Sequence, residues 1–183
     1  MILGSLLAGI CIGLGCWIFC SVTNPILGAL LFSCGLLAIR IFGYSLFTGK
    51  IQYMITKQYK WYYYLIILIG NIIGIWLMCL LAERSDLYLY AATIGRAKDA
   101  QIPVVAFIKA IGCGALMTIA TKKETPLYIT SLCVLAFIAA GFNHCIADAF
   151  YFIAAGVISW NWFIIVLGNI VGGILISLGA KSK

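Results

Sequence analysis

The sequence predicts an all-α integral membrane protein: six transmembrane helices as two inverted three-helix repeats, with interrupted second and fifth helices. Three observations carry this reading. Of 183 residues, 64% are hydrophobic and only 9% charged, too little polarity to face water. The apolar runs reach the ~18 to 20 residues that cross a bilayer as a helix, and backbone in lipid must bond to itself. The ten-residue alternation of barrel strands is absent. The second observation is a repeat: Ile69-Gly70-Asn71-Ile72-Ile73-Gly74 returns 98 residues later as Leu167-Gly168-Asn169-Ile170-Val171-Gly172. The third is a pair of polar, glycine-bearing interruptions, Gly43 to Gly49 and Gly141 to Asp148, each inside an apolar run.

The spans fall at roughly 2–22, 25–49, 61–82, 102–121, 126–157 and 159–179. The first lacks the basic flank and the clear small-residue cleavage site of a signal peptide, so it is expected to persist as a span. Asn24-Pro25 separates the first two, with proline at a helix start where its missing N–H costs nothing. Lys50, Lys57 and Lys60 mark the next loop, and Trp61, Tyr62, Tyr63 and Tyr64 follow at the depth of an interfacial aromatic belt. A polar outer loop is expected over 83–101. Lys122, Lys123 and Glu124 mark the turn before the fifth span. The chain thus reads as one transmembrane domain, 1–183, with repeats at about 1–82 and 102–180.

Charge reports topology here. A net +7 in a soluble chain would point to nucleic acid, but most of these basic residues lie in short loops. With six spans both ends share a side, and that side collects Lys50, Lys57, Lys60, Lys122, Lys123, Lys181 and Lys183. Arg84, Arg96 and Lys98 fall opposite, accompanied by Glu83, Asp86 and Asp99. The positive-inside rule therefore places both termini in the cytoplasm. The eight cysteines form no CxxC pair, which argues against a zinc or redox framework; they read as small packing residues.

The repeat copies lie three spans apart, an odd number, so the halves are expected to run in opposite directions through the bilayer. Inverted repeats bring a binding site to the midplane at broken helices, and the Gly-x-x-x-Gly spacing permits close helix approach. The distances from Thr48 to Asn71 and from His144 to Asn169 are 23 and 25 residues. The two breaks should therefore meet at the centre.

These residues resemble the formate/nitrite transporter family. Leu46-Phe47-Thr48-Gly49 resembles its second-helix loop, and Gly141-Phe142-Asn143-His144-Cys145-Ile146-Ala147-Asp148 resembles its Gly-Phe-Glu-His-Ser-Ile-Ala-Asn signature. Gly168-Asn169-Ile170-Val171-Gly172-Gly173 resembles its last-helix Gly-Asn-Ile-Ile-Gly-Gly. The resemblance implies an aquaporin-like homopentamer in a bacterial inner (plasma) membrane, with one pore per protomer. It implies passage of small monovalent anions of weak acids such as formate, nitrite or hydrosulfide, with no cofactor. It implies an outer constriction at Phe32 and Phe137, an inner one at Leu36 and Leu46, and a pore centre at His144 and Thr48. Lys98 matches the vestibule lysine that attracts anions. The chain departs from the pattern at Gly114, usually asparagine, at Asn143, usually glutamate, at Ser45, usually acidic, and at Asp148, usually asparagine.

An anion entering hydrocarbon meets a desolvation penalty of several kcal/mol, which falls away if it crosses a greasy constriction as the neutral acid. A histidine, with an ordinary pKa of about 6.5, suits donation of a hydrogen bond or proton there. The plainer alternative is that His144 pins two helices. Asp148, four residues on, would share its helix face and could orient the ring or pair with a buried base, while Thr118 could supply the missing asparagine's bond. An aquaporin-like channel for small neutral solutes is the alternative function; it lacks the paired Asn-Pro-Ala motifs. An enzyme lacks a nucleophile or metal constellation, and the implied partners are a small inorganic or carboxylate anion and lipid, not nucleic acid.

Overall fold

A computed structural model describes residues 2–83, 85 and 87–181. Arg84, Asp86 and Lys183, used in the charge argument, lie outside the described residues, as does the side chain of Lys181. The described chain is helical with no strand: α1 (Ile2–Ser21), α2 (Pro25–Phe42), α3 (Phe47–Lys50), α4 (Trp61–Ala82), α5 (Leu87–Asp99), α6 (Pro103–Thr121), α7 (Leu127–Ala139), α8 (Cys145–Ala155) and α9 (Trp160–Lys181). A short 3-10 turn, Ile51–Tyr53, follows α3. Five helices, α1, α2, α4, α6 and α9, are long and apolar enough to cross a membrane, and α7 and α8 are shorter apolar pieces. Leu65, Ile69, Ile73 and Trp76 of α4 and Leu167 and Leu175 of α9 leave an apolar exterior exposed. This is a multi-pass membrane protein.

Both predicted interruptions are present, and they are built alike. Helix α2 stops at Gly43, which takes a left-handed φ of 70°, and Gly141 does the same after α7 at 65°. A Cβ is disfavoured in that region of backbone space, so glycine ends each helix. Tyr44 N–H then bonds back to the Ile39 carbonyl, and Phe142 N–H to the Phe137 carbonyl, both at 2.9 Å. Extended residues follow until Leu46 and His144, which stand at the N-cap positions of α3 and α8. The second span expected over 25–49 is thus α2 plus α3, and the fifth, over 126–157, is α7 plus α8.

Glycines set how the long helices pack. A Cβ at Gly9 of α1 would run into the Asn71 backbone of α4, and one at Gly114 of α6 into the Asn169 backbone of α9. Gly74 presses in the same way on Leu6 of α1, and Gly172 on Ile111 of α6. The α1–α4 and α6–α9 pairs are therefore backbone-to-backbone contacts of the small-residue type.

The region 83–101 departs from expectation. Most of it folds as α5, not as a loop, because Ala91, Ala92 and Gly95 give it a small-residue face. That face presses on α8, where a Cβ at Gly95 would meet the Tyr151 carbonyl. Tyr88 Oη adds a bond to the Ile153 carbonyl at 3.4 Å.

Candidate functional site

Helix breaks inside a membrane leave peptide groups without intrahelical partners, and such groups must find others. The repeated asparagines supply them. Asn71 Oδ1 accepts from Phe47 N–H at 2.8 Å, while its Nδ2 donates to the carbonyls of Ser5 and Ser45 at 2.7 and 2.9 Å. Asn169 Oδ1 accepts from Cys145 N–H at 2.9 Å, and its Nδ2 donates to the carbonyls of Ala110 and Asn143 at 2.8 and 2.9 Å. Both asparagines are fully buried. The sequence reading treated this motif as a marker of duplication and close packing and missed its bonding role. A buried amide at the same place in both copies was the available signal.

These bonds also correct the register between the breaks. The matched positions are Phe47 and Cys145, each 24 residues before its asparagine. His144 therefore corresponds to Leu46, and Thr48 to Ile146. Matching Thr48 to His144 misaligned the two breaks by two residues.

His144 and Thr48 meet directly. Nε2 lies 2.9 Å from Thr48 Oγ1, and Nδ1 accepts the Ala147 N–H at 3.1 Å. A nitrogen that accepts a backbone N–H carries no proton, so a neutral ring places its hydrogen on Nε2. Nε2–H then donates to Thr48 Oγ1, leaving the threonine O–H free to donate onward. His144 also caps α8 through the Ala147 bond, so its ring is held at both nitrogens. Its exposure is 1%, and that of Thr48 is 0%.

Aromatic rings cover the histidine on one side. Phe137 stacks on His144 at 5.7 Å between centroids, and Phe32 meets Phe137 edge to face at 6.1 Å. Both phenylalanines border a cavity of about 210 Å³ that Lys98, Asp148 and Tyr151 also line. A second cavity, about 370 Å³, is lined by Leu46, Gly49, Arg40, Lys50, Thr121 and Lys123 among others. The first lies by Lys98, just before α6, and the second reaches Thr121 at the far end of that helix. Leu36, at 1% exposure, is packed in the core. Phe137, in the lining of the first cavity, stacks on the buried His144 ring.

Lys98 is not a free cation. Its Nζ lies 2.9 Å from Asp148 Oδ1 and donates to Asn143 Oδ1 at 2.7 Å. Asn143 in turn donates to Gln101 Oε1 and to the Ala106 carbonyl. Asp148 thus pairs with a base and does not orient the ring. Gly114 sits in the α6–α9 seam with no room for a side chain. Thr118 Oγ1 is buried without a hydrogen-bond partner among the described residues; both ring nitrogens of His144 are already engaged, so Thr118 does not bond to it.

Arg40 and Lys50 both line the second cavity. Arg40 binds the carbonyls of Thr125 and Lys122 at 2.7 Å each, as well as the Lys123 carbonyl and the Thr130 hydroxyl. Lys50 Nζ stands 5.6 Å from the centre of the Tyr53 ring.

Two matched helix breaks, a buried imidazole bonded across them to Thr48 and an apolar exterior point to a membrane transport protein. The chain matches the formate/nitrite transporter family model over residues 1–181 and belongs to that family. Among solved structures it is similar to a pentameric formate channel with formate bound, at 24% identity and a TM-score of 0.82. That match covers 99% of this chain and 94% of the other. A channel described as an FNT family ion channel aligns with the same TM-score at 23% identity, over 99% of this chain and 88% of its own. No curated protein sequence matches the chain.

Proposed function

We propose that the chain is a channel for small monovalent anions of weak acids, of the formate, nitrite and hydrosulfide class, which permeate with help from His144. The observation that carries this is the buried Thr48–His144 pair at the junction of the two breaks, capped by Phe137. An anion reaching it meets the Thr48 hydroxyl, polarised by the imidazole N–H behind it. Apolar walls on either side favour passage as the neutral acid, whose desolvation cost is far below that of the anion. Phe32 and Phe137 form the outer constriction and Leu36 and Leu46 the inner one.

The matched asparagine bonds and glycine caps support an aquaporin-like architecture of two inverted halves, about 1–82 and 102–180, joined through 83–101. The pentameric state of the similar formate channel supports a homopentamer with one pore in each protomer. The basic residues of the 50–60 and 122–123 turns support an inner-membrane orientation with both termini in the cytoplasm.

The test is uptake of formate, nitrite and hydrosulfide into proteoliposomes. Wild type is expected to pass all three; His144→Ala and Thr48→Val are expected to lose about 100-fold or more in rate, the lower end of what a positioned proton-transfer group contributes, and Thr48→Ser to keep most of it. Flux of neutral solutes without anion flux would refute the proposal.

A further inference from the structure

A third cavity, about 730 Å³, lies away from His144 at the start of α4. Lys57, Gln58, Tyr59, Lys60, Trp61 and Tyr64 are among its lining residues. Lys57, Gln58, Lys60 and Trp61 are exposed, so it opens on the surface. None of its lining residues is acidic, and the chain carries no acid from Lys50 to Ala82. Neither lysine has an ion pair among the described residues; Lys60 Nζ stands 5.9 Å from the centre of the Tyr62 ring. Lys50 lies nearby through Tyr53, whose ring meets that of Tyr59 edge to face, and it adds charge of the same sign.

Two further features call for an anion here. Lys60 stands at the N-cap of α4, where its side chain makes no capping bond, and the first turn holds no acid. The leading N–H groups of this 22-residue helix therefore point back at the 54–60 turn uncapped, at the positive end of the helix dipole. Such a helix start is a ready anion site. Tyr64, at 6% exposure, has its hydroxyl buried with no hydrogen-bond partner among the described residues, a state that buried polar groups seldom keep.

The neighbouring surface says what kind of anion fits. Trp61, Leu65, Ile69 and Ile73 follow at four-residue spacing along one face of α4, and all four are exposed. The last three line an apolar groove of about 520 Å³ together with Trp162, Phe163 and Leu167 of α9, and no polar residue lines it. The groove thus begins one helical turn beyond Trp61 and follows α4 for about 12 Å of rise. A soluble phosphate would use the cavity and leave the groove empty. A molecule with an anionic head and an apolar tail matches both.

We propose that the α4 start and the α4–α9 groove form one binding site for an anionic phospholipid. Lys57, Lys60 and the first N–H groups of α4 hold the headgroup phosphate, with Tyr64 beside them as a further donor. One acyl chain lies along Leu65, Ile69 and Ile73. The site is separate from the anion pathway and does not depend on it.

Full-length protein in neutral detergent is titrated with phosphatidylglycerol or with phosphatidylcholine carrying the same chains. The melting temperature and the lipids retained in native mass spectrometry are read. Wild type is expected to melt higher with phosphatidylglycerol at concentrations where phosphatidylcholine has no effect, and to retain one such lipid per chain. Lys57→Gln/Lys60→Gln should need about 25-fold more phosphatidylglycerol for the same shift, about fivefold for each lysine. Lys122→Gln/Lys123→Gln, the same change of charge on another turn, should bind as wild type does. Glycerol 3-phosphate and inorganic phosphate carry the charge without a chain and should not displace the lipid at equal concentration. Bromines at mid-chain of phosphatidylglycerol should quench tryptophan emission more than those of phosphatidylcholine, and Trp162→Phe should remove most of that difference.

The proposal is overturned if the two lipids act alike on wild type, or if the Lys57 and Lys60 pair can be replaced with no more effect than the Lys122 and Lys123 pair. Displacement of the lipid by inorganic phosphate would overturn it in favour of a soluble-phosphate site. Equal quenching by the two brominated lipids would remove the acyl chain from the groove and overturn it as well.

Discussion

Replacing Asn169 by alanine should be among the most damaging single changes outside the pore centre. The side chain makes three bonds, accepting from Cys145 N–H and donating to the carbonyls of Ala110 and Asn143, all within 2.9 Å. All three partners are backbone groups at a buried helix break or on the α6 wall. An interhelical hydrogen bond inside a membrane protein contributes about 0.6 kcal/mol on average and up to about 1.7. A buried group left unsatisfied costs about 1–3 kcal/mol. Three bonds at the membrane-protein figure give an expected loss of about 2–5 kcal/mol, and Asn71→Ala should cost a similar amount through Phe47, Ser5 and Ser45. Gln52→Ala is the control, because that half-buried amide makes a single bond to the Gly49 carbonyl with a longer contact to Thr121, worth about 1 kcal/mol. Fraction folded against SDS mole fraction, with each variant purified alongside wild type, reads these differences directly. An Asn169→Ala protein no less stable than Gln52→Ala would refute the assignment of the asparagines as the groups that hold the breaks.

Two further outcomes follow from the packing. Gly114→Ala puts a Cβ into the Asn169 backbone and should lower stability by about 1–3 kcal/mol through overpacking, whereas Gly43→Asn, at a left-handed position with nothing within 4 Å, should cost well under that in the same assay. Arg40→Met removes the cation that gathers the carbonyls of Lys122, Lys123 and Thr125; trypsin cleavage after Lys122 and Lys123 in reconstituted protein should accelerate by about tenfold or more, in line with a loss of about 1.5–3 kcal/mol for a charged hydrogen bond.

Much of this was legible in the chain itself. Composition and run length announce a membrane protein, and glycine next to polar residues at 43–49 and 141–148 announces the breaks, because both features are local in sequence. The His144–Thr48 contact was also foreseen, but its inner chemistry was not. That Nδ1 caps α8 depends on the turn geometry at Ala147, which no spacing rule encodes. The region 83–101 read as a loop because its charged residues, Glu83, Arg84, Asp86, Arg96, Lys98 and Asp99, mask a stripe of Ala91, Ala92 and Gly95 that becomes visible only once α8 is there to receive it. The pairing of Asp148 was open for the same reason: sequence offered the His144 ring and more than one base as its partner, and only the meeting of α5 with α8 selects Lys98.

Helix α5 has a consequence for how this molecule tolerates change. It stands between α4 and α6 in the chain, yet it also lies along α8 and carries the lysine that reaches the aromatic cavity. The stretch at 54–60, by contrast, is a turn with much of its surface in solvent. Insertions, tags or cut sites are safest there, at most displacing a lipid contact. A spacer placed in α5 would move a wall of the aromatic cavity, so the piece that looks most like a tether is the one with least slack.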